Sequence, residues 1–201
     1  MVYGFVIHTL GSGPNGSPKL SRVIYSRLFG HDSLDDKPGA AAPSMQNVRT
    51  RRKKQIEIVA RQTESLWLLR RQVLGKTASE YTVHTDDSIA LHEEDVGVYG
   101  LGPADPFQQE KVVLWLAVSS FGFSLVCESQ ENLTLAESTL RMLVRYLADS
   151  LKLLTHSSNF LLRADRIELS LDKFMPHGQL LFLNHQAVQA LEKELNASIT
   201  M

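Results

Sequence analysis

The first stretch that could do chemistry is Gly11-Ser12-Gly13-Pro14-Asn15-Gly16, which matches G-x-G-x-x-G and follows the apolar stretch Val2 to Leu10. In a dinucleotide site such glycines let the backbone approach a pyrophosphate, held by the amides of a helix that starts there. Asp35 and Asp36 even stand about 20 residues further on, where a ribose-binding acid belongs. Yet Pro18 and the strand-like segment after it, Leu20 to Phe29, extend the chain instead of opening a helix. Gly, Pro and Asn are the residues that turns select. The run from Gly11 to Pro18 therefore reads as a hairpin turn between two antiparallel strands, and no cofactor is implied.

Three further groups carry reactive side chains. His84 and His92, with Asp86, Asp87, Glu93, Glu94 and Asp95, offer metal donors, but they lie in a polar stretch without rigid ligand spacing, so no metal is expected. Asp165, Glu168 and Asp172 share one helix face, with Arg163, Arg166 and Lys173 beside them. They read as a solvated, charge-paired face rather than an acid–base pair. Cys127 is the single cysteine, inside an apolar run, and cannot form an intrachain bridge, which fits a cytosolic chain. No nucleophile and base occur at diagnostic spacing. Catalytic residues are therefore not expected, nor an enzyme.

A basic run, Arg49, Arg51, Arg52, Lys53 and Lys54, falls at the start of a helix, where the dipole disfavours cations. Local stability does not explain it. It reads either as a nuclear-import or anionic-lipid patch, or as a solvated helix start facing water or an acidic partner.

These groups must be positioned by the elements around them, and the most regular lie between Lys111 and Leu154. Val112 to Val118 and Phe123 to Cys127 are apolar runs of strand length separated by Ser119, Ser120, Phe121 and Gly122. The first is apolar on nearly every residue, so both of its faces are buried and helices must cover both sides of the sheet. Leu133 to Leu154 follows as the longest regular helix signal. It buries Leu133, Leu135, Ala136, Leu140, Leu143, Val144, Leu147, Leu151 and Leu154 and leaves Glu137, Arg141, Arg145, Asp149 and Lys152 wet.

The remaining elements fall around this unit. Strands are expected at Val2 to Leu10, Leu20 to Phe29 and Val96 to Leu101. A helix from about Asn47 to Leu74 carries the stripe Ile56, Val59, Ala60, Thr63, Leu66, Trp67 and Val73 and ends at Gly75. Phe160 to Leu162 packs after a turn. A short helix, Ala164 to Phe174, stops at Pro176 and Gly178; Gln179 to Leu183 is apolar again, and Gln186 to Leu195 is a terminal amphipathic helix. Flexible loops are expected at about 30–48 and 76–95.

The chain is 201 residues long, 43% hydrophobic, with a formal net charge of −1, which suits a single domain spanning 1–201 that buries a full core. That charge balance argues against a dedicated nucleic-acid binder. Nothing approaches the roughly 18 consecutive apolar residues of a membrane span. No basic region precedes Val2 to Leu10 and no small-residue cleavage site follows, so it reads as a strand and not a signal peptide. The fold class is α/β in the α+β sense: a five-stranded antiparallel sheet with one helix on one face and two on the other. Such a sheet suits presentation of surfaces to other proteins.

That element order resembles the longin-like sigma (small) subunits of the clathrin-adaptor complexes. The features are Val2-Tyr3-Gly4-Phe5-Val6-Ile7-His8, Leu20-Ser21-Arg22-Val23-Ile24-Tyr25-Ser26, Gly122 leading into Phe123 to Cys127, and Glu131-Asn132-Leu133 opening the long helix with Glu137 on its first turns. More specific are Leu161-Leu162-Arg163-Ala164-Asp165-Arg166-Ile167-Glu168 and Phe174-Met175-Pro176-His177-Gly178-Gln179-Leu180-Leu181-Phe182-Leu183-Asn184. These are similar to the sigma family of adaptor protein complex 5, as are Val2 to Leu10 and Asn132 to Leu147.

The resemblance implies a non-enzymatic role in a heterotetramer with two large adaptin-type subunits (zeta and beta) and a medium (mu) subunit. It implies association with spatacsin and spastizin, and vesicle-mediated endosomal sorting by a membrane coat. The chain would be cytoplasmic and peripheral on late endosomes and lysosomes. In other sigma subunits a groove beside the strand-turn-strand and the long helix receives acidic dileucine signals. The matching positions are Phe121, Phe123 and Leu143. Phe121 stands where those subunits tend to carry a small residue, and its ring would fill the pocket; the alternative is that all three are core or subunit-interface residues. A longin-type scaffold regulating a small GTPase, outside any coat complex, is the other reading.

Overall fold

The computed structural model describes residues 1–11, 22–30, 45–75, 95–104, 106–118, 120–151 and 163–199. They form strands β1 (Val2–Thr9), β2 (Val23–Leu28), β3 (Asp95–Leu101), β4 (Lys111–Val118) and β5 (Phe121–Glu128). The helices are α1 (Met45–Val73), α2 (Leu133–Leu151), α3 (Ala164–Phe174) and α4 (His185–Ile199). The strands make one sheet in the order β2-β1-β5-β4-β3, and every neighbouring pair is antiparallel.

The pairing of β1 with β2 decides the glycine motif. A dinucleotide unit needs a helical crossover between parallel strands, whereas here Gly4 to His8 runs antiparallel to Val23 to Leu28. The Thr9 amide donates to the Arg22 carbonyl at 2.9 Å, and the Arg22 amide donates to Thr9 Oγ1 at 3.0 Å. Most of the glycine run itself lies outside the described residues, as do His84, His92, Phe160 to Leu162, Lys152 and Leu154.

The sheet is covered on both faces, as the unbroken apolar run of β4 requires. Alternate residues of the central strands point to opposite sides. Phe5, Ile7, Leu114, Leu116, Phe121, Phe123 and Leu125 share a core with Leu140, Leu143 and Leu147 of α2 and Ile167, Leu171 and Phe174 of α3. Tyr3, Val6, Val113 and Val126 pack on Val59 of α1 from the other side, and Trp115 and Ala117 pack with Trp67. One helix thus covers one face and two cover the other, while α4 docks on that second layer through Leu195 and Val188.

Side chains fix where helices begin. The Asn132 side-chain oxygen accepts from the Leu135 amide at 3.0 Å ahead of α2, and Asn184 does the same for Ala187 at 2.8 Å ahead of α4. Beyond α3, Gly178 sits at φ 76°, and a Cβ there would lie 2.6 Å from the Val2 carbonyl oxygen and 2.7 Å from Phe29 Cβ. Only glycine fits, because conformation and space both exclude a side chain. Gln179 to Leu183 then runs without regular structure to α4.

Several expectations change. The break between the central strands is shorter than four residues, since β5 begins at Phe121, paired with Val118. Helix α1 begins at Met45, within the expected loop, and Asp95 is the first residue of β3 rather than the end of a loop. Leu133 at the head of α2 is exposed, and Val73 at the end of α1 is 86% exposed although Arg70 in the same turn still reaches Asp95 of β3. Leu135 is only half-buried, while Thr139, Tyr146 and Ala148 join the buried face of α2. Glu168 and Asp172 pair mainly across the fold with Arg27 of β2, not with cations on their own helix.

Candidate functional site

Phe121 opens β5 at the hairpin end, facing Val118 on one side and Thr9 on the other. The Leu10 amide closes that end by donating to the Ser120 carbonyl at 2.7 Å. Phe123 follows two residues on, toward the same face, where Leu143 of α2 meets the sheet. The structure brings all three together in one core, at 6%, 1% and 0% exposure respectively. In the chain by itself they form a closed wall, and Phe121 is the member nearest the surface.

The opposite face of the same strand does different work. Gly122 pairs with His8, and a Cβ on Gly122 would sit 2.6 Å from the His8 ring. Its role is close approach and not a turn. The His8 Nδ1 lies 3.2 Å from the Thr9 carbonyl oxygen, and burial lowers the imidazole to about 4, so it is neutral at pH 7.

Beside it α1 is fastened by buried polar contacts that an apolar stripe does not reveal. Thr63 Oγ1 lies 3.1 Å from Ser124 Oγ and 3.2 Å from the Tyr99 hydroxyl, which donates to the Val59 carbonyl at 3.1 Å. Burial raises the Tyr99 pKa far above its ordinary range. Gln55, also buried, accepts from the Tyr3 hydroxyl and donates to the Pro106 carbonyl, each at 3.0 Å.

At the other end of the sheet Lys111 is 1% exposed, with its ammonium 2.8 Å from Glu128 and 5.0 Å from the centre of the Tyr3 ring. Cys127 is buried and its thiol is pushed up to about 12, chiefly by desolvation and then by Glu131, so it is no nucleophile. Tyr25 donates to Glu168 and Arg27 reaches Asp172 at 2.7 Å, tying the edge strand β2 to α3. Among the described residues no group of three or more His, Cys, Asp or Glu is placed to hold a metal. Nor is any described helix long and apolar enough to cross a membrane.

Among the described residues, His8 and Lys111 are buried in the packing of the sheet, and Glu168 and Asp172 of α3 are held by Arg27. The family model described as AP-5 complex subunit sigma-1 matches residues 1–196. The chain is 46% identical over 199 residues to a Homo sapiens protein named AP-5 complex subunit sigma-1, covering 98% of each. It is 42% identical over 156 residues to a Mus musculus protein of that name, covering 77% of this chain and 91% of the other.

Proposed function

Since this chain belongs to the AP-5 complex subunit sigma-1 family, and is thereby an adaptor-complex subunit, we propose that it works as the non-enzymatic small chain of that heterotetramer. Its partners are two large adaptin-type subunits (zeta and beta) and a medium (mu) subunit, with spatacsin and spastizin acting alongside. Its role is endosomal vesicle-mediated sorting, peripheral on late endosomes and lysosomes. The observation that carries the reading is the match along residues 1–196, which takes in the sheet and the helices as far as the last turn of α4. A sheet buried on both faces suits it, because such a chain contributes outer surfaces to an assembly.

Phe121, Phe123 and Leu143 enter this reading as the wall on which a dileucine signal or a neighbouring subunit packs. Phe121 holds the wall closed, so Phe121→Ser opens a slot. Gain of acidic dileucine peptide binding by the assembled Phe121→Ser complex assigns the wall to cargo. Loss of partner subunits from that variant assigns it to the interface.

Isolated subunits of obligate assemblies often lack a stable state. Expression with and without the other three chains tests the reading: co-expression should yield one particle on size exclusion, while the chain alone aggregates. A dispersed, stable monomer that ignores the other chains would sink it.

A further inference from the structure

Between Lys173 and Glu192 the chain carries no Lys, Arg, Asp or Glu for 18 residues, where a composition of 21% charged would place about four. The stretches Val2 to Leu10 and Val112 to Cys127 are equally free of charge, but their described residues lie almost wholly buried in the sheet. This one faces outward. His177, Gln179, Asn184, His185, Gln186 and Gln189 are exposed, and Phe182 among them is 89% exposed.

The segment that presents the ring is fixed at both ends. Gly178 is wedged against Val2 and Phe29, Asn184 caps α4, and between them Leu180 and Leu183 pack inward on the core shared by α2 and α3. Among the described residues, the main chain from Leu180 to Leu183 makes no hydrogen bond to other main chain, so its amides and carbonyls are open to a partner. The segment starts at the Val2 end of β1, away from Phe121, which pairs with Thr9.

We propose that this charge-free segment, with Phe182 as its anchor, is where the chain docks on a neighbouring subunit of its complex. The ring enters an apolar socket, and the amides around it meet main-chain or side-chain amides of that subunit. The centre of a protein interface is poor in charged residues and rich in aromatic ones, which is the composition found here. A ring held on a fixed segment also loses little freedom on binding. An anionic membrane or a nucleic acid would call for cations, which the segment lacks. The inference rests on the coat-subunit reading and adds to it the residues that bind.

The test is competition. Wild-type and Phe182→Ser chains, separately tagged and at equal levels, are co-expressed with the other three chains, and their ratio in the purified complex is measured by mass spectrometry. Wild type should be favoured about thirtyfold, the ratio that an anchor of about 2 kcal/mol gives. Phe182→Met keeps an apolar side chain and should recover most of the incorporation. Gln179→Glu with Gln186→Glu changes exposed positions only, and an acid at 186 suits the dipole of α4, so the fold is spared. That pair should nevertheless be excluded from the complex, because it brings charge into an uncharged contact. Equal incorporation of Phe182→Ser or of the charged pair overturns the proposal. So does a Phe182→Ser complex that assembles in full but no longer floats with phosphatidylcholine vesicles, because the ring then belongs to a bilayer. A wild-type chain that captures none of the other three overturns the coat-subunit reading and this inference with it.

Discussion

Replacing Gly122 with alanine tests how the central strands are packed. The position is not among the glycines at positive φ, so the backbone accepts alanine. Space does not: the new Cβ would lie 2.6 Å from His8 Cε1 and 2.7 Å from Nε2, where ordinary contact begins at 3.4 Å. His8 cannot retreat freely, because β1 is flanked by β2 and β5 and the residue is 0% exposed. Overpacking of this kind costs about 1–3 kcal/mol. A glycine present only for turn flexibility predicts the opposite sign, since alanine would then stabilise by about 0.4–1 kcal/mol through the unfolded chain. Thermal unfolding separates the two, at about 2–4 °C for each kcal/mol in a domain of this size. Adding His8→Ala should recover part of the loss, a coupling that identifies the ring as the obstacle. A Gly122→Ala protein that melts at or above the wild-type temperature refutes the reasoning.

Acid should also act through His8. Its folded pKa of about 4 lies below the ordinary 6.5, so between those values the unfolded chain binds the proton and stability falls as pH falls. The loss reaches about 2 kcal/mol at pH 5 and is absent in His8→Gln, as urea midpoints at pH 7 and pH 5 will show. Gln55→Leu removes the partner of the Tyr3 hydroxyl and the Pro106 carbonyl, and urea unfolding should register a loss of about 1–3 kcal/mol. Arg27→Ala severs the pairs with Glu168 and Asp172. Both carboxylates are half exposed, so the same assay should record only about 0.5–1 kcal/mol.

Much of the fold is legible because apolar periodicity is local. The doubly apolar run from Val112 to Val118 announces a strand covered on both sides, and the bounds of α3 fall where the sequence ends its stripe. What escapes the sequence depends on contacts between distant residues. Gly122, closing the run Ser119-Ser120-Phe121-Gly122, reads as a turn, and only the approach of His8 from β1 shows why glycine stands there. Gln55 falls outside the stripe read for α1 and Thr63 within it, yet both are buried through polar partners on other elements, which the stripe does not reveal. Glu168 and Asp172 read as paired within their helix, because Arg27 is far from them in sequence. The candidate wall was found through a resemblance of motif; that all three members lie closed within one core required coordinates.

The central claim is membership in an assembly, and the direct measurement is quantitative mass spectrometry of the tagged chain purified at its native level of expression. Two large adaptin-type chains and a medium chain recovered in amounts comparable to the bait are the expected result. Recovery of a small GTPase without those chains, or of the bait alone, would contradict it.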